Sequence, residues 1–157
     1  MTPRDRHAGS RDRTRGQALV EFSLILIPFL FLLIGIVDLG RGIYTNNAVA
    51  QAAREIARTT SVHPCTGGFP CATLGNSAET AATVATQSSM VPGLQAPAIT
   101  CVDLSDGAPT APSGVSRACR PGDYVRVTVS APFTVITPFL GAIAPTTLTS
   151  TSHIQIP

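Results

Sequence analysis

The longest apolar run in the chain extends from Ala18 to Val37, broken by one charge at Glu21. A helix rises about 1.5 Å per residue, so this run covers ~30 Å, the hydrocarbon thickness of a bilayer. Further on the pattern changes. Val49, Ala52, Ala53, Ile56 and Ala57 recur at helical spacing, while Arg54, Glu55 and Arg58 fall on the other side. The two patterns predict one long helix over residues 17–62, membrane-embedded below and an amphipathic stem above. Its Ala-rich stripe permits close approach of a neighbouring element. Pro64 and the Gly67-Gly68 pair end it.

Residues 63–157 read as a separate α+β domain. Asn76-x-x-Glu79 has the form of a capping box and opens a second helix that runs to Met90, stopped by Pro92-Gly93. The Thr content of this helix makes it weak. The stretch 95–122 is rich in Pro and Gly and reads as loop, with a short strand at Ala98–Val102. From Asp123 to Val129 the alternation is clean: Val125, Val127 and Val129 on one face, Tyr124, Arg126 and Thr128 on the other. Leu148 to Ile156 alternates again. The expected fold is α+β: a long N-terminal transmembrane helix, continued as a stem and packed on a small antiparallel sheet.

Charge decides the orientation. Of 157 residues only 13% are charged, and the net charge is +2. Residues 1–16 carry Arg4, Arg6, Arg11, Arg13 and Arg15, so the basic character belongs to a short leader. The positive-inside rule places that leader in the cytoplasm and residues 63–157 outside. A cleaved signal peptide is the rival, but the apolar run exceeds a signal core, and Val37-Asp38-Leu39-Gly40 offers no small-x-small site.

Composition removes several function classes. All basic residues are Arg, which excludes the P-loop, Schiff-base chemistry and a kinase lysine. No Gly-x-Ser-x-Gly, His-Glu-x-x-His or Gly-x-Gly-x-x-Gly occurs, so no catalytic residue, cofactor or metal site is expected. Trp is absent and aromatics make up 5%, so no nucleic-acid platform is expected either. His7 and His153 read as isolated, solvated side chains.

Three residue groups carry candidate chemistry. Glu21 places a carboxylate inside an apolar helix, at a cost of about 2.5–3.5 kcal/mol at mid-membrane. It is either a snorkelling acid near the cytoplasmic end or a buried acid awaiting a cationic partner. Asp38 and Arg41 stand at i and i+3 at the outer membrane boundary and read as an interfacial ion pair of small value. Cys65, Cys71, Cys101 and Cys119 all lie beyond the span, so they read as two disulfides. Of three connectivities, the local pairing Cys65–Cys71 with Cys101–Cys119 is taken, each closing a loop rich in Gly and Pro. A metal site built from His63, Cys65 and Cys71 is the rival, and its spacing does not match zinc.

The residues Arg15-Gly16-Gln17-Ala18-Leu19-Val20-Glu21-Phe22, the following apolar run with Pro28, and Gly35-Ile36-Val37-Asp38-Leu39-Gly40-Arg41 form one pattern. It resembles the N-terminus of TadE-like proteins, minor pilins or pseudopilins of the tight-adherence (Flp-type) pilus system, over residues 15 to about 60. The resemblance implies cleavage by a prepilin peptidase between Gly16 and Gln17, which removes the basic leader 1–16. Gly16 suits a protease that must take up an extended, unbranched backbone. The resemblance further implies that Glu21, with Phe22 beside it, serves assembly by pairing with the new N-terminal amine of a neighbouring subunit. Cyclisation of an N-terminal Gln17 would abolish that amine's charge. Implied partners are the peptidase, other pilin or pseudopilin subunits, the inner-membrane assembly platform and the lipid bilayer. The implied location is the cytoplasmic membrane, with passage into an extracellular pilus. The alternative is an uncleaved single-pass anchor that presents its outer domain as a binding or scaffold module.

Overall fold

The computed structural model describes residues 8–67, 71, 73–102, 119–137 and 146–157, with side chains from Gly16 onward. Its elements are α1 (Ala8–Val62), α2 (Ala78–Met90), β1 (Ala98–Val102), β2 (Tyr124–Pro132) and β3 (Thr147–Gln155).

Helix α1 begins upstream of the expected residue 17, so the second half of the leader is helical too. Pro28 lies inside it and has no N–H to give the Leu24 carbonyl. No residue between Gly16 and Val37 is buried; from Asp38 a single stripe is. That stripe runs through Val49, Ala52, Ala53, Ile56, Ala57 and Thr60, spaced three and four apart. The helix stops because Pro64 cannot extend it. The carbonyl of His63 accepts the hydroxyls of Ser77 (2.7 Å) and Thr80 (3.3 Å), which ties the end of α1 to the start of α2.

The cap of α2 differs from the expected one by a residue. Ser77 is the N-cap, and its Oγ accepts the Thr80 N–H at 3.2 Å. Asn76 is used elsewhere: its Oδ1 accepts the Thr66 N–H (2.9 Å). The side chain that fits the capping pattern is thus held by the preceding loop.

The sheet is antiparallel in the order β1-β2-β3. Ile99 pairs with Val127 and Cys101 with Val125; on the other side Val127 pairs with Ser152. Strand β2 runs three residues past the clean alternation, ending at Pro132 opposite Thr147. Proline is tolerated at a strand end, where no ladder donor is needed. The core lies between Val49, Ala53, Ile56 and Ala57 of α1 and Val125, Val127, Val129 and Ala131 of β2, closed by Val91 and Ile156. Small Ala side chains on the helix let it approach a Val-rich strand. Each buried Val or Ile contributes about 1.5–3 kcal/mol.

Two disulfides brace the far end. Cys65 is bonded to Cys71 and Cys101 to Cys119. Cys71 and Cys119 also exchange both backbone hydrogen bonds, at 3.3 Å each. A continuous strap therefore links the end of α1 to the edge strand β1.

Candidate functional site

The lower half of α1 carries the motif residues. Gly16 and Gln17 sit within continuous helix, and a Cβ added at Gly16 would meet nothing within 4 Å. One turn on, Glu21 accepts a hydrogen bond from Gln17 Nε2 at 3.1 Å. Phe22 and the large apolar residues from Leu19 to Val37 are exposed around the helix, except Leu26, which is partly buried. The segment is long and apolar enough to cross a membrane and is not covered by the other described residues.

The upper limit of that segment is a built junction. Asp38 is 4% exposed, although it stands on a helix whose preceding residues are bare. Its carboxylate accepts the Ile136 N–H (2.9 Å to Oδ2, 3.1 Å to Oδ1) and the Thr137 N–H (2.7 Å). It also accepts the Thr137 hydroxyl at 2.6 Å. Arg41 Nη1 lies 3.3 Å from the same carboxylate. One turn above Asp38, Gly42 leaves room for the Phe133 ring, which a Cβ there would meet at 3.4 Å. The Arg41 guanidinium stands over that ring, 5.9 Å from its centroid. The segment joining β2 to β3 is thus pinned to the helix at the height where burial begins.

The ion pair read from the Asp38–Arg41 spacing is present, but it is the smaller part of the site. The larger part comes from Ile136 and Thr137, 98 and 99 residues away in sequence, which local pattern reading does not reach. Gly42 was the local hint: a residue without a side chain on the face that turns inward.

The remaining candidates resolve simply. Cys65 and Cys71 are bonded to each other, so the alternative metal site with His63 has no thiolate to offer. Cys101, Cys119 and Asp123 also cluster at metal-ligand distances, but those two sulfurs form the second disulfide. Asp123 is buried and accepts the Arg120 N–H (2.8 Å), closing the turn before β2. His153 is not the isolated, solvated side chain expected. It is partly buried, and its Nε2 accepts a hydrogen bond from Arg126 Nε at 3.0 Å. Burial and the Arg126 charge both hold its pKa below the ordinary value. His7 lies outside the described residues.

No curated protein and no solved structure gives a significant match to the chain. A family model described as TadE-like protein matches residues 16–58. The match opens at Gly16, spans the bare segment and the helix side of the Asp38 junction, and closes within the stem. Together with the motif from Arg15 to Arg41, it shows that the N-terminal helix of this chain is similar to that of TadE-like proteins over residues 16–58.

Proposed function

We propose that the chain is a TadE-like minor pilin or pseudopilin that acts in assembly of a tight-adherence (Flp-type) pilus. One observation carries the reading: a helix that matches the TadE-like family from Gly16 to residue 58 leaves its apolar segment bare, with one acid, Glu21, a turn from the expected cleavage point. In this reading the Arg-rich leader stays in the cytoplasm and the sheet domain lies outside. A prepilin peptidase cuts between Gly16 and Gln17. The bare apolar helix packs in lipid before assembly and among other pilin subunits afterwards. Glu21 then pairs with a neighbour's N-terminal amine, an interaction strengthened by the low-dielectric surroundings. The role is structural, and the reading assigns the chain no catalytic step.

The helix is continuous across Gly16–Gln17, so cleavage requires local unwinding. Glycine lowers the cost of that step, being about 1 kcal/mol less favourable than Ala within a helix. The same continuity favours the second reading, an uncleaved anchor that presents its outer domain to a ligand.

The test is to purify the protein from membranes of cells that carry the matching peptidase and pilus machinery, and to determine its N-terminus. A chain that starts at Gln17, free or cyclised, is expected. A chain retaining Arg15-Gly16 would overturn processing and leave the anchor. In the same cells, Glu21→Ala is expected to be cleaved normally and to abolish pili; an undiminished pilus yield would remove Glu21 from assembly.

A further inference from the structure

The bare apolar surface does not end at Val37. Leu39, Ile43 and Tyr44 are exposed as well, on the faces of α1 that the domain leaves open. From Leu19 to Tyr44 the helix rises by ~38 Å, more than a hydrocarbon core of about 30 Å and close to a core plus one headgroup layer. Arg41 and Tyr44 stand near its upper end, and these are side-chain types that anchor a span at headgroup level. Asp38 therefore lies where hydrocarbon gives way to headgroups.

The domain reaches down to that height through the segment Phe133–Thr137, held by the Asp38 carboxylate. Phe133 is turned in against Gly42, whereas Ile136 is turned out and is 64% exposed. A large aliphatic side chain fixed outward by bonds on its own backbone and its neighbour's has no partner within the described domain. The sequence carries no charged residue from Phe133 to Ser152.

We propose that the Phe133–Thr137 segment rests in the outer-leaflet interface of the membrane that α1 crosses, with Ile136 inserted at the boundary between headgroups and acyl chains. The inference depends on the membrane-crossing reading of α1 and adds a second lipid contact, made by the domain. Two functions follow. The Asp38 junction is shielded from water by lipid on one side, which strengthens its charge-assisted hydrogen bonds. The domain also has a fixed seat on the membrane surface instead of swinging on its stem.

The four native cysteines are taken up in disulfides, so one introduced cysteine gives a unique thiol. The full chain is reconstituted in phosphatidylcholine–phosphatidylglycerol vesicles with an environment-sensitive fluorophore at Ile136→Cys, Phe29→Cys or Val62→Cys. Quenching is then read from lipids that carry spin labels near the headgroup or deep in the chain. Phe29 is mid-span and should be quenched by the deep label. Val62 lies ~36 Å of helix rise above Asp38 and should be quenched by neither. The expected result at Ile136 is quenching by the shallow label, several-fold stronger than at Val62. Deep quenching at Phe29 with none at Ile136 would overturn the inference and leave the membrane-crossing helix intact. A blue-shifted emission at Ile136 without lipid quenching would also overturn it, assigning that face to a second copy of the chain. No quenching at Phe29 would remove the crossing helix and the inference with it.

Discussion

Asp38 is a buried carboxylate held by three donors of one distant segment. A carboxylate with two backbone N–H groups and a hydroxyl aimed at it is a charge-assisted site, and such bonds are about twice as strong as neutral ones. Asp38→Asn keeps the shape but turns an amide N–H₂ toward groups that themselves donate. The expected loss is about 1–3 kcal/mol, with one donor left unsatisfied. Thr137→Val removes a single bond and should cost about 1 kcal/mol. Denaturant unfolding of the detergent-solubilised chain checks both; an unchanged midpoint for Asp38→Asn would show that the junction does not hold the loop. His153 gives a pH dependence. Its folded pKa is depressed below an unfolded value near 6.5, so the folded state resists protonation. The domain therefore keeps its full stability above that value and loses part of it as pH falls from 6.5 through the folded pKa. Protonation also removes the lone pair that accepts the Arg126 Nε–H. A His153→Asn variant should show a flatter stability profile below pH 6.5, measured by thermal melts across pH.

At the scale of elements, the disulfide strap is where a small core is reinforced. Cys101–Cys119 closes a separation of 18 residues, which in the chain-entropy picture is worth about 3 kcal/mol. The Cys101→Ser/Cys119→Ser double variant should lose close to that amount. Protection of β1 backbone amides should fall further than that of β2, because β1 is the short edge strand. Equal loss of hydrogen-exchange protection across the sheet would show that the strap stabilises the domain as a whole. The strands themselves were legible: Val125, Val127 and Val129 alternate strictly with polar residues, and that period has one structural solution when one face is buried. The stem was legible for the same reason at period 3.6. The cap of α2 was not, because Asn76 and Ser77 are both good caps and the choice rests on Thr66 capturing Asn76. The pairing of His153 with Arg126 was not legible either, since it depends on the register between β2 and β3. The Asp38 junction lay furthest out of reach: apart from Arg41 its donors come from Ile136 and Thr137, 98 and 99 residues away, and two of them are backbone N–H groups, which every sequence has and no sequence marks.

For the whole molecule, the burial boundary at Asp38 divides α1 into a bare apolar part and a part packed against the domain. None of the described residues before Asp38 contributes to the domain core, so the domain's stability should not depend on them. A variant lacking residues 1–34 keeps Asp38, Arg41 and Gly42. In detergent, it is expected to unfold at the same denaturant midpoint as the full chain. A variant lacking residues 1–41 loses both charged groups of the junction and should be destabilised by at least as much as Asp38→Asn, about 1–3 kcal/mol. Thr137→Val then closes a thermodynamic cycle. Its cost of about 1 kcal/mol should persist in the shorter truncation and vanish in the longer one, where its acceptor is gone. A cost that persists in both would mean that Thr137 acts through packing within its own loop. A destabilised first variant would mean that the apolar segment supports the domain from below, so that helix and sheet fold as one cooperative unit across the membrane boundary.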